Sequence, residues 1–156
     1  MSQYTHIFVR HNDEFIELGC YSRSNKIAEI FNRTAPYEKI ASYTSADILD
    51  CVNEVREEIE RYEVLKKSYQ ERLAQIPSFN NSIEDKMDAM TELQNGIVEI
   101  EDELTEYKYA KSVLLFLSHI ADEYEMNVKY EGAKDQPRVY VGIECGSNPT
   151  LEDVAR

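Results

Sequence analysis

Cysteine is scarce in this chain, with three residues in 156, and Cys20, Cys51 and Cys145 lie far apart with no Cys-x-x-Cys pair. An odd number at such spacings supports neither a disulfide framework nor a zinc site, so the three read as reduced, half-buried thiols. Basic residues are also few, seventeen against thirty acidic, for a net charge of −13. The mean field repels phosphate backbones and anionic lipid, which disfavours direct binding to nucleic acid or to a membrane surface. Long apolar runs are missing too: none approaches the ~18 residues of a membrane span. The start, Met1-Ser2-Gln3-Tyr4, lacks the basic-then-apolar order of a secretion signal. The location expected on these grounds is the cytoplasm of a bacterial or host cell. No internal repeat, low-complexity tract, flexible interdomain linker or recognisable family motif is found.

What is present is enough to fold. Apolar residues make up 42% and charged residues 30%, which suits a core and argues against a disordered chain. Residues 4–22 hold two alternating stretches around His11-Asn12-Asp13-Glu14, the pattern of a β-hairpin. With Asn12 and Asp13 as the turn, Val9 lies opposite Ile16 and Ile7 opposite Leu18, and Ile16, Leu18 and Cys20 share one face. Ser24 is placed to cap a short helix to about Arg33, with Ile27, Ile30 and Phe31 as its apolar stripe. Residues 37–43 read as irregular. Thr44 with Asp47 resembles a capping box opening a helix to about Ile76.

In that helix Ile48, Val52, Val55, Ile59, Tyr62, Lys66, Tyr69, Leu73 and Ile76 alternate steps of four and three, the seam of a coiled coil broken only at Lys66. Pro77 stops it, and Asn81 with Glu84 is placed to cap the next helix. The returning stripe runs from Ile83 through Met87, Met90, Leu93, Ile97, Ile100, Leu104 and Tyr107 to Tyr124, roughly 43 residues or about 64 Å. With Ile76 facing Ile83, Lys66 falls near Gln94 and Tyr62 near Gly96 and Ile97. Val128 with Tyr130, then Val139, Val141 and Ile143, read as a second hairpin across residues 132–137.

The predicted fold is therefore α+β, one domain over residues 1–156. A long antiparallel two-helix coiled-coil stalk (45–111) projects from a base (1–44 and 112–146) of about four antiparallel strands plus a short helix. The tail, 147–156, has little apolar surface to hold it and is expected to be mobile.

The stalk carries −9 of the charge. In the expected register Glu57, Glu58 and Glu60 lie level with Glu99, Glu101, Asp102 and Glu103, an acidic band, and Glu106 is a further partner-binding candidate. It reads either as the solvated exterior of a coiled coil or as a docking surface for a basic partner. Tyr37, Tyr43, Tyr109 and Tyr140 lie off the apolar stripes and are candidate interface anchors.

Chemistry is thinner. His6 and Cys20 are candidate neighbours across the first hairpin, but no third group or oxyanion loop is evident. Clustered carboxylates without Glu-x-x-His pairs do not suggest a di-iron site. Residues 142–146 look like a glycine loop but end a strand. No catalytic, cofactor or metal residue is expected.

The leading expectation is a non-enzymatic protein-protein interaction module, using the acidic hairpin, the tyrosine-bearing base, or both. An alternative is a small acidic phage or mobile-element inhibitor, an anti-CRISPR-like nucleic-acid mimic that blocks a defence enzyme. A further alternative is a small-ligand-sequestering protein or enzyme. The expected partner is a protein, in the second case a basic nucleic-acid-binding one. A homodimer through Leu49, Val64, Leu65 and Val98 is a further possibility.

Overall fold

In the computed structural model, residues 3–11, 14–22, 24–34, 40–131 and 139–145 are described. The Asn12-Asp13 turn, Tyr37, the 132–137 connection and the 147–156 tail fall outside them, as does the side chain of Tyr140. The fold is α+β, mostly helical with a small antiparallel sheet. Two compact units divide it, Met1–Asn53 with Ala110–Arg156, and Glu54–Tyr109.

In the first unit the alternating residues of Gln3–His11 (β1) and Glu14–Ser22 (β2) pair antiparallel. Val9 faces Ile16, as the turn chemistry predicts, but Ile7 faces Gly19 rather than Leu18. The register slips between Ile7 and Phe8, leaving Leu18 as the extra residue of a β-bulge. A Cβ at Gly19 would stand 2.9 Å from the Tyr21 ring, which would have to shift to admit it.

Asn25, rather than Ser24, caps the helix Lys26–Thr34 (α1): its Oδ1 accepts the Ile27 N–H at 2.9 Å. Ile27, Ile30 and Phe31 are its buried stripe. Residues 40–43, expected to be irregular, form the strand Ile40–Tyr43 (β3).

Thr44 and Asp47 make a reciprocal capping box, the Thr44 N–H donating to Asp47 Oδ2 at 2.9 Å and the Asp47 N–H to Thr44 Oγ1 at 3.3 Å. The helix they open is Ser45–Gln75 (α2), ended by the Pro77-containing 3-10 turn Ile76–Ser78. Ser82, not Asn81, caps the next helix through the Asp85 N–H at 3.2 Å. That helix is Ile83–Glu131 (α3), 49 residues or about 73 Å long. Val128 and Tyr130 are thus helical and not in a strand. The reason is local: after Gly96 the next glycine is Gly132, and no proline intervenes.

The last described strand, Val139–Cys145 (β4), pairs with β1 and β3, giving the order β2-β1-β4-β3. β3 thus takes the place beside β4 assigned in the sequence to 128–130. Residues 142–145 lie within β4, so Gly142 belongs to a strand, and Gly146 lies outside the described residues.

Register divides the faces. Ala41 and Tyr43 pair across β4 to the level of Ile7 and Val9, so these four share a face. Helices cover it: Tyr43 meets Phe31 edge-on at 5.1 Å, and Ile7, Leu18 and Tyr21 share a cavity of about 270 Å³ with Val113, Phe116 and Leu117 of α3. Ala110, Leu114, Leu117 and Ala121 form a buried stripe at steps of four, three and four.

In the second unit the helices meet antiparallel through side chains. Tyr62 packs on Tyr107 at 5.7 Å between ring centres, and Lys66 Nζ reaches Glu101 Oε1 at 3.2 Å. Tyr69 covers Gly96, where a Cβ would stand 2.5 Å from the ring. The sequence register is therefore corrected by about two turns: Lys66 lies by Glu101 rather than Gln94, and Tyr69 rather than Tyr62 fills the gap over Gly96. A tight turn does not hold Ile76 against Ile83, because the 3-10 turn and residues 79–82 intervene. The first turns of α3 consequently run past the end of α2, and Ile83 (78% exposed) and Met87 leave the seam.

Candidate functional site

Among the described residues, two places bring chemistry-bearing side chains together, one in each unit. On β1 and β2, His6 and Cys20 are direct cross-strand partners, so they point to the same face. Glu17 is three residues from Cys20 and in a regular strand would point the other way. The bulge at Leu18 reverses that, setting Glu17 opposite Phe8 and on the His6 side. Cys20 accordingly lies on the face opposite Ile16 and Leu18, against the sequence expectation.

His6 Nδ1 lies 2.7 Å from Glu17 Oε1, and His6 Nε2 lies 3.9 Å from Cys20 Sγ. A carboxylate only accepts, so Nδ1 carries the proton and donates, leaving the Nε2 lone pair toward sulfur. The imidazole is only 2% exposed and stacks near Phe8 at 6.1 Å, while Glu17 and Cys20 are exposed. Glu17 is thus the third group that sequence reading did not find. No pattern of residue types announces it, because a bulge decides which face it occupies. Partial desolvation of the sulfur by its neighbours, and then the Glu17 carboxylate, raise the Cys20 thiol above its ordinary pKa, so it stays protonated at neutral pH. That opposes nucleophilic catalysis, which needs the thiolate.

The second place lies on the Glu54–Tyr109 unit, whose sequence holds fifteen acidic and seven basic residues. Glu57, Glu60, Glu99, Glu101, Asp102 and Glu106 are exposed, whereas Glu58 and Glu103 are half-buried. Some are already engaged: Glu58 with Arg61 at 3.0 Å, Glu101 with Lys66, and Glu63 with Lys108 at 3.7 Å. The corrected register also separates the two clusters. Glu58 and Glu60 stand about 10 Å along the helices from the 99–103 group rather than level with it.

Between the clusters and the helix turn lies an open groove of about 630 Å³. Tyr69, Phe79 and Leu93 supply its apolar surface, Glu92 and Glu99 its negative charge. Arg72 also lines it, a positive charge lying over the Tyr69 ring at 5.8 Å. Tyr69, Phe79 and Glu92 were not among the sequence candidates, because the groove exists only in the register that sets Tyr69 over Gly96.

Of the tyrosine candidates, Tyr109 is exposed, whereas Tyr43, expected to be exposed, is buried against Phe31. Val64 (70% exposed), Leu65 and Val98 are exposed in the second unit, as is Leu49 in the first. No helix among the described residues is long and apolar enough to cross a membrane. Compared with known proteins, the chain matches no family model, no curated protein and no solved structure.

Proposed function

We propose that the chain is a non-enzymatic protein-binding module whose Glu54–Tyr109 unit takes a basic segment of a partner protein. One observation carries this reading: the groove sets the apolar side chains of Tyr69, Phe79 and Leu93 beside the carboxylates of Glu92 and Glu99. A lysine or arginine of a partner needs both, an apolar wall for its stem and a carboxylate for its head. The surrounding charge, net −8 within the unit, steers such a segment in and repels polyanions. The coiled-coil reading of the two helices belongs to the same proposal, their seam fixing the register that forms the groove.

Like charge on two copies opposes a homodimer through this unit. The exposed Val64, Leu65 and Val98 fit better as apolar contacts for a partner of opposite charge.

The test is the affinity of a captured basic partner for Glu92→Lys, Glu99→Lys and Phe79→Ala proteins. These three side chains are exposed, whereas Glu101 is already paired with Lys66. Each change is expected to weaken binding at least about 10-fold, the equivalent of 1.4 kcal/mol. Unchanged affinity in all three overturns the reading. If the partner binds nucleic acid and DNA competes for it, the partner class is that of the acidic inhibitor.

A further inference from the structure

We propose that Cys20 and His6 form a zinc-binding pair, with Glu17 positioning the histidine. His6, Glu17 and Cys20 place a nitrogen, an oxygen and a sulfur ligand atom within 4.8 Å of one another. Zinc favours imidazole and thiolate, with Zn–N of about 2.0–2.1 Å and Zn–S of about 2.3 Å. With those lengths a tetrahedral angle separates nitrogen and sulfur by about 3.6 Å, and an angle of about 127° separates them by about 3.9 Å. The observed Nε2 to Sγ distance is 3.9 Å, the spacing of a zinc-bridged nitrogen and sulfur at that wider angle.

The tautomer is already suitable. Glu17 accepts a hydrogen bond from Nδ1–H at 2.7 Å, so Nε2 turns its lone pair to Cys20, the carboxylate–histidine–metal arrangement in which an outer carboxylate fixes the ring. Stacking near Phe8 and near-complete burial hold the imidazole further. Cys20 is exposed on β2, which is at the edge of the sheet, so the ion has a route in and water completes its coordination. On binding, the Cys20 S–H proton is released to solvent and the sulfur–zinc bond forms, with no change of oxidation state. The arrangement depends on the Leu18 bulge, since without it Glu17 faces away from His6.

The experiment uses the full chain and zinc or cobalt ions alone. Titration is expected to show one ion bound at micromolar concentration, and cobalt a thiolate charge-transfer band in the near ultraviolet. Cys20→Ser, at an exposed position, is expected to remove that band and weaken binding at least about 100-fold while the circular dichroism stays native. Glu17→Gln is expected to weaken binding about 10- to 100-fold with the band retained. Cys145→Ser is expected to change neither. Absence of the band in the native chain, or a band that survives Cys20→Ser, overturns the proposal.

Discussion

Leu18 decides, by having no cross-strand partner, which side chains share a face of the sheet. Sequence alternation correctly pairs Val9 with Ile16, but alternation assumes an unbroken register, so it assigns Cys20 to the wrong face and gives Glu17 no role. A bulge has no residue signature beyond a permissive glycine nearby, here Gly19. The raised Cys20 thiol yields a prediction at this scale. At pH 8 without metal, iodoacetamide is expected to alkylate Cys20 more slowly than a free cysteine, because a smaller fraction is thiolate. Glu17→Gln should speed the reaction only in part, since desolvation is the larger cause and remains. Alkylation faster than free cysteine would contradict the assigned environment.

Element boundaries were more legible than element partners. The Thr44–Asp47 box and Pro77 mark both ends of α2 in sequence, because caps and breakers act within a few residues. Thr44→Ala is expected to cost about 1 kcal/mol in chemical denaturation, and no loss would argue against the box. The helix register was not legible, since it depends on the conformation of residues 76–82 and on which large side chain meets Gly96. A double-mutant cycle reads this directly. With Tyr69→Ala in place, Gly96→Ala should stabilise by about 1 kcal/mol through helix propensity. In the native chain that gain is offset or reversed by an overpacking cost of about 1–3 kcal/mol. Equal effects in the two backgrounds would contradict the Tyr69–Gly96 contact. The continuation of α3 through Val128 and Tyr130 was missed for a related reason: a short alternating run of β-branched and aromatic residues looks like a strand when read apart from the helix that precedes it.

At the scale of the whole molecule, burial separates residues that the sequence treats alike. Leu114 is fully buried and Phe116, two positions on, is 60% exposed. Leu114→Ala is expected to cost about 2–5 kcal/mol, whereas Phe116→Ala, which removes a half-exposed wall of the cavity against the sheet, should cost about 1 kcal/mol; equal costs in urea denaturation would contradict the packing of α3. The net charge and the density of acids between residues 54 and 109 were plain from composition, and composition also argues against polyanion binding. The groove was not, because composition carries no register. The most direct measurement of the central claim is quantitative affinity capture from bacterial lysate at low and high salt, with native protein and the Glu92→Lys, Glu99→Lys double variant side by side. The account predicts a basic protein retained by the native chain at low salt, lost at high salt and absent with the variant. Identical retention by native and variant protein, or retention indifferent to salt, would contradict it.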